Sequence, residues 1–287
     1  MDTNFQTLKI DNHQLAYVAF NTQDSRQPII LLHGLTSSMG LWYKGAPYTQ
    51  YGPCYALSLP GHYPAVFPKD FQSEQLSVKE IGRLVVEAIE QIVPGRPVTI
   101  VGHSLGGFTA LAAAIYAPAK VNRVISIAGF ANGRLIGAFG LLQRLARMDG
   151  MGRVLFPLGF LTRFHPSFLR ASIGAFAVDR QILIHHPEFT ERLHLLYSYH
   201  KKVQAGAMWP YFRQLPHMDI AYRLPRIAAA TLVVVSDKDP IVPPEQSQLI
   251  ASRVPNSKLV VIPGVGHLPM LERRPEYEKI VHEWLSK

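Results

Sequence analysis

The chain has 287 residues, 48% of them hydrophobic and 17% charged, a balance that fills a large core and excludes an intrinsically disordered protein. The formal net charge of +9 is uneven, because residues 130–226 hold 13 Lys and Arg against 5 Asp and Glu. No nucleic-acid-binding motif accompanies this charge, so nucleic acid is not an expected partner; a solvated basic face, a contact with anionic membrane lipid and a negatively charged substrate stay open.

In chain order, Met1–Phe5 has no basic stretch leading into an apolar one, and no apolar run reaches about 18 residues without a charge. Neither a secretory leader nor a membrane span is expected, and the expected location is cytoplasmic. Leu8–Ile10 and Gln14–Phe20 read as a hairpin turning at Asp11–His13. Pro28–His33 (PIILLH) is a continuous apolar run, as expected of a strand buried on both faces, and Tyr55–Leu59 is another. The single cysteine, Cys54, excludes an internal disulfide and reads as core filler.

Val78–Val93 places Ile81, Leu84, Val85, Ala88, Ile89 and Ile92 at helical spacing, with Arg83, Glu87 and Glu90 on the polar side. Pro97–Val101 reads as a strand, Gly107–Tyr116 as a helix and Val121–Ile127 as the next strand. Between 130 and 226 the alternation stops, in a segment rich in Leu, Phe, Arg, His and Gly and punctuated by prolines. It resumes with a strand at Thr231–Ser236, a helix at Pro244–Val254, a strand at Lys258–Ile262 and a last helix at Pro275–Leu285. Such alternation implies an α/β fold around a mostly parallel sheet with helices on both faces. The expected division is a core of residues 1–129 and 227–287, with residues 130–226 inserted as a helical cap over the C-terminal edge of the sheet.

Gly102-His103-Ser104-Leu105-Gly106 is a G-x-S-x-G pentapeptide between a strand and a helix. A serine on so tight a turn is forced into a strained backbone with its hydroxyl raised above the sheet edge, and glycines flank it because side chains there would collide. Backbone amides at the helix start can stabilise a developing negative charge. His33-Gly34-Leu35, at the end of the early apolar strand, can present a second amide, so Leu35 and Leu105 are the expected oxyanion donors.

A serine hydroxyl is a weak nucleophile until a base takes its proton, and imidazole suits that task near neutral pH. Of the twelve histidines, His13 lies in a turn, His62 in a loop and His282 on the last helix, and six fall in the insertion. His267 follows a late strand and a candidate acid, and is the expected base. Asp239, after the strand Thr231–Ser236, is the expected acid that orients it. Asp237 is the rival, placed closer to the strand end where it could bind a loop amide, and Asp219 is a weaker one.

At His33-Gly34, Leu59-Pro60-Gly61-His62, Gly102–Gly107, Asp239-Pro240-Ile241-Val242-Pro243 and Gly266-His267 the chain resembles the α/β-hydrolase fold superfamily over nearly its whole length outside the insertion. The resemblance implies an eight-stranded sheet, a Ser104–His267–Asp239 triad and a cap domain. It departs from the family at Gly61-His62-Tyr63-Pro64, where relatives often carry a glycine followed shortly by a serine. Serine at position 104 sets the chain apart from the dehalogenase and epoxide-hydrolase branches, which use aspartate there.

In the insertion, Phe139 and the later aromatic cluster with Trp209 and Phe212 are candidates to line a substrate pocket, although packing of the cap on the core is the plainer account of them. The expected substrates are small to medium apolar or lipid-like carboxylic esters, with acyl transfer, thioester cleavage, C–C bond hydrolysis or lyase chemistry as alternatives for the same residues. Basic residues mixed with apolar ones in the cap suggest peripheral contact with an anionic membrane. The adjacent His185 and His186 lack metal-ligand spacing, and neither a metal nor a cofactor is expected.

Overall fold

In the computed structural model, residues 5–148, 150–181 and 189–287 are described. Among them eight strands form one sheet: β1 (Gln6–Ile10), β2 (His13–Phe20), β3 (Ile29–Leu32), β4 (Cys54–Ser58), β5 (Val98–His103), β6 (Val121–Ile127), β7 (Ala230–Ser236) and β8 (Ser257–Ile262). Their order across the sheet is β1-β2-β4-β3-β5-β6-β7-β8. β2 runs antiparallel to β1 and β4, and every other neighbour is parallel. The central β3 and β5 are buried along their whole length, which is why their sequences show no alternation.

Two helices cover one face beside the site. α1 (Val78–Ile92) begins where the Ser77 side chain accepts the Glu80 amide at 3.2 Å, and it buries Ile81, Leu84, Val85, Ala88 and Ile89. On its outer side Arg83 spans Glu80 and Glu87 at one-turn spacing. α2 (Leu105–Tyr116) is buried from Leu105 to Ala114. It starts two residues before the position expected from sequence, because Leu105 and Gly106 are helical as well, the second despite glycine's poor propensity. Tertiary packing overrides that propensity here.

From β3 the chain moves outward to β4, then returns to place β5 on the other side of β3. This reversal is a topological switch point, where the carboxyl ends of parallel strands leave a crevice open to ligands. His33 follows β3, Ser104 follows β5, and the loops after β7 and β8 carry Asp239 and His267 to the same edge.

Between β6 and β7 lies a helical insertion over that edge. It contains α3 (Gly137–Arg147), α4 (Met151–Leu155), a 3-10 helix (Phe156–Arg163), α5 (Pro166–Phe176), α6 (Phe189–His200) and α7 (Ala205–Gln214). Its two ends pair with each other, the Gly133 amide on the Met218 carbonyl at 3.0 Å and the Ile220 amide on the Ala131 carbonyl at 2.9 Å. The Gln246 side chain accepts the Ala131 and Asn132 amides at 3.1 Å each, which ties this neck to the core. After β7 the chain adds α8 (Pro244–Arg253), then, after β8, α9 (Pro269–Glu272) and α10 (Arg274–Leu285).

Candidate active site

Ser104 sits at the turn from β5 into α2 with φ 54° and ψ −116°. A non-glycine residue there costs about 1–3 kcal/mol and persists only when its surroundings hold it. Its amide donates to the Ile127 carbonyl at 2.8 Å, and its carbonyl accepts the Phe108 amide at 3.1 Å. Gly102 and Gly106 make the turn possible. A Cβ on Gly102 would overlap the Gly106 carbonyl, and one on Gly106 would overlap the Leu32 carbonyl.

His267 donates from Nδ1 to Asp239 Oδ2 at 2.6 Å, which leaves Nε2 as the nitrogen able to take a proton. Asp239 Oδ1 accepts the amides of Ile241 at 2.8 Å and Val242 at 2.9 Å. Burial works to raise the Asp239 carboxyl, but the charge and hydrogen bond of His267 and these two amides outweigh it, and the group stays below the ordinary carboxylate range. Asp237 instead accepts the Gly264 amide at 2.7 Å, tying the turn after β7 to the loop after β8. Asp219 accepts the Ala221 amide at the neck of the insertion.

The backbone of His267 is gripped from both sides. Its amide donates to Phe176 of the cap at 2.7 Å, and its carbonyl accepts His103 Nε2 at 2.7 Å. Glu272, buried, accepts the Gly266 amide at 2.9 Å with one oxygen and the Val178 amide at 2.8 Å with the other. Burial raises its carboxyl above the usual value.

Leu105 is the first residue of α2, where a helix leaves its amides without intrahelical partners. Leu35 follows Gly34, whose carbonyl accepts His33 Nδ1 at 2.8 Å. In a trans peptide that contact turns the Leu35 N–H away from His33. Thr36, held at φ 60°, donates its amide to His62 Nε2 and accepts His200 Nδ1 on its carbonyl, each at 3.2 Å. His33 Nε2 in turn accepts the Leu59 amide at 3.1 Å, and the His33 and His62 rings meet edge to face at 4.9 Å. Three histidines therefore frame the Gly34–Thr36 loop, one of them from the cap. The spacing of residues 33, 62 and 200 in the chain carries no sign of this.

Burial lowers His33 to about 4, burial and then the charge of His267 lower His103 to about 3, and burial with the charge of His33 sets His62 well below its ordinary value. All three are neutral in the folded protein but take a proton near pH 6.5 once unfolded. Below pH 6.5 the unfolded chain binds more protons than the folded one, so stability falls as pH drops from 6.5 towards 4, by about 1 kcal/mol per pH unit for each histidine. The urea midpoint is expected to be much lower at pH 5 than at pH 7. Equal midpoints would mean that these rings are charged or exposed.

Ser104 and His267 line one cavity of about 110 Å³, together with Leu35. Its roof comes from the cap: Phe139 and Leu142 of α3, Phe160 of the 3-10 helix, and Ile173 and Phe176 of α5. Of the three aromatic residues singled out by sequence, Phe139 is on this wall. Phe212 is fully buried behind it, at 5.5 Å from the Phe139 ring and 5.4 Å from Phe156. Trp209 packs on Phe156 at 5.1 Å and borders a separate surface cleft with Pro157 and Ala205. α7 thus aims both side chains into the packing of the cap. Among the described residues no group of three or more His, Cys, Asp or Glu is arranged to hold a metal ion, and His185 and His186 lie outside those residues.

Residues 27–274 match the family model for the alpha/beta hydrolase fold. The pimeloyl-[acyl-carrier protein] methyl ester esterase of Neisseria meningitidis is 24% identical over 277 residues, covering 92% of this chain and 95% of that protein. The 2-hydroxymuconate semialdehyde hydrolase of Pseudomonas putida is 29% identical over 203 residues, covering 66% of this chain and 62% of that protein. A hydrolase from Pseudomonas aeruginosa superposes with a TM-score of 0.77 at 20% identity over 100% of both chains, and an esterase from Thermogutta terrifontis with 0.73 at 20% identity over 98% of both. A family match that runs from the strand before His33 to the helix after His267 takes in the whole sheet edge described above, and the chain belongs to the alpha/beta hydrolase fold family, as one of its hydrolases.

Proposed function

We propose that the protein hydrolyses carboxylic esters of apolar, lipid-like alcohols or acids through an acyl-enzyme on Ser104. The 2.6 Å contact between His267 and Asp239, beside a strained serine in an apolar cavity, carries this proposal. The ester carbonyl sits against Ser104, and His267 Nε2 takes the hydroxyl proton as the oxygen attacks. The Leu35 and Leu105 amides hold the oxyanion. His267 then gives its proton to the departing alcohol, and a water activated by the same nitrogen releases the acid and regenerates the serine. Asp239 keeps the ring in the required tautomer and offsets its charge.

The hydrogen-bonded segments at Ala131–Gly133 and Met218–Ile220 support the division into a core of residues 1–129 and 227–287 and a cap of residues 130–226. Among the described residues no helix is long and apolar enough to cross a membrane. A cytoplasmic location, with peripheral contact between the basic cap and an anionic membrane, completes the proposal.

A series of p-nitrophenyl esters of increasing acyl length tests the substrate class. The cavity of about 110 Å³ is small and closed over by the cap residues Phe139, Leu142, Phe160 and Ile173. Short acyl groups are therefore expected to give the highest kcat/KM, with a fall once the chain outgrows the roof. Hydrolysis of a vinylogous C–C substrate with no turnover of any ester would favour C–C bond hydrolysis instead.

A further inference from the structure

The segment from Met151 to Leu161 (MGRVLFPLGFL) has one polar side chain, Arg153. α4 and the 3-10 helix that continues it bury Gly152, Phe156 and Phe160 against the cap. The opposite side carries Met151, Val154, Leu155, Leu158 and Leu161, and all of these are exposed, Val154 by 73% and Leu158 by 57%. Leu155, Leu158 and Leu161 recur at three-residue spacing, with a kink in the 3-10 helix at Phe160. A helix that is apolar all round belongs in a protein core or in lipid, and this one has only one of its faces covered. Neighbouring α3 and α5, which pack on it, add exposed Leu141 and Phe168. The other large exposed apolar side chains among the described residues are Ile136, Met148, Phe164 and Val178 elsewhere in the insertion, Val66, Tyr116 and Tyr222 scattered singly, and Leu259 and Val261 on the edge strand β8.

Charge says what covers this face. From Arg134 to Val178 the sequence has six arginines and a single acid, Asp149. Arg144 and Arg147, in the last turn of α3, and Arg153 are exposed. An apolar ridge set among arginines matches a bilayer surface with anionic headgroups: the ridge enters the acyl boundary and the guanidinium groups stay with phosphate. A water-soluble acidic partner would match the arginines but not a ridge of this length. The same three elements roof the catalytic cavity with their inner sides, at Phe139, Leu142, Phe160 and Ile173.

From these observations we infer that the outer face of α4 and the following 3-10 helix is a docking surface for anionic lipid bilayers, which sets the roof of the catalytic cavity directly on the membrane. This rests on the contact between cap and membrane proposed above and names its face; it does not depend on which bond Ser104 cleaves.

Vesicle co-sedimentation of the full chain tests it, with vesicles of phosphatidylcholine alone and of phosphatidylcholine mixed with phosphatidylglycerol. The expected result is binding to the mixed vesicles that weakens with salt, and little binding to the neutral ones. Val154→Glu with Leu158→Glu, and separately Arg144→Ala with Arg147→Ala, should each weaken binding on the order of tenfold or more. Neither pair lines the cavity, so turnover of a soluble short-chain ester should be unchanged, which also reports that the variants fold. If mixed vesicles bind but the Val154/Leu158 variant binds as well as the parent, the face is wrong and the membrane contact survives. If no vesicle binds, both are wrong. If sedimentation velocity without lipid shows a dimer that the Val154/Leu158 variant abolishes, the face is a contact between copies of the chain, and the lipid surface is overturned.

Discussion

Replacing Ser104 by alanine is expected to lower ester turnover by about 10⁶-fold, leaving a residue of activity from binding and the oxyanion amides. On the proposed mechanism the hydroxyl oxygen forms the acyl bond, and nothing else on the cavity wall replaces it. Ser37, Ser38 and Ser172 also line the cavity, but the strained turn belongs to Ser104 alone among them. His267→Ala is expected to cost about as much, and the double variant hardly more than either single one, because the two residues act as one unit. Initial rates on a short-chain p-nitrophenyl ester measure this. Independent, multiplying losses would mean that serine and imidazole do not work together. Alanine at 104 keeps the Cβ and the backbone contacts of the turn, so unfolding by urea should be nearly unchanged.

Asp239→Asn is the second large effect, a loss of about 10⁴-fold in kcat with the fold intact. Asp239 Oδ1 already accepts two amides, from Ile241 and Val242. In the asparagine variant the side-chain oxygen must stay on that side, because an NH₂ group facing two N–H donors would leave all of them unsatisfied. The NH₂ group then faces His267 Nδ1 and donates to it. The imidazole is forced to carry its proton on Nε2, the atom that has to accept the serine proton. Nitrogen-15 NMR of the imidazole should show a protonated Nε2 in the variant near neutral pH. An unprotonated Nε2 with full activity would remove Asp239 from the mechanism.

The sheet was legible in the sequence because its central strands are long apolar runs set between helices of clear period, and Val121–Ile127 matches β6 residue for residue. The three residues Ser104, Asp239 and His267 were legible for a topological reason. Each follows a parallel strand, and parallel strands deliver their carboxyl ends to one edge. The supporting shell was not. His62 and His200 reach Thr36 across 26 and 164 residues of chain, and Glu272 links the His267 loop to Val178, contacts that no local pattern encodes. The cap was hardest to resolve. α4 and the 3-10 helix after it are apolar on inner and outer faces alike, so the period that marks a helix against water is lost there, and Trp209 and Phe212 could not be told from pocket residues. Their neighbours decide it: Phe139 and Phe160 stand between Phe212 and the cavity, and Phe156 packs against Trp209.

The most direct measurement is covalent trapping with a fluorophosphonate probe, followed by peptide mass spectrometry. A single adduct on Ser104 is expected, absent in Ser104→Ala and formed far more slowly in His267→Ala. An adduct on another residue, or labelling of Ser104 at the same rate without His267, would contradict an imidazole-activated serine at the heart of this protein.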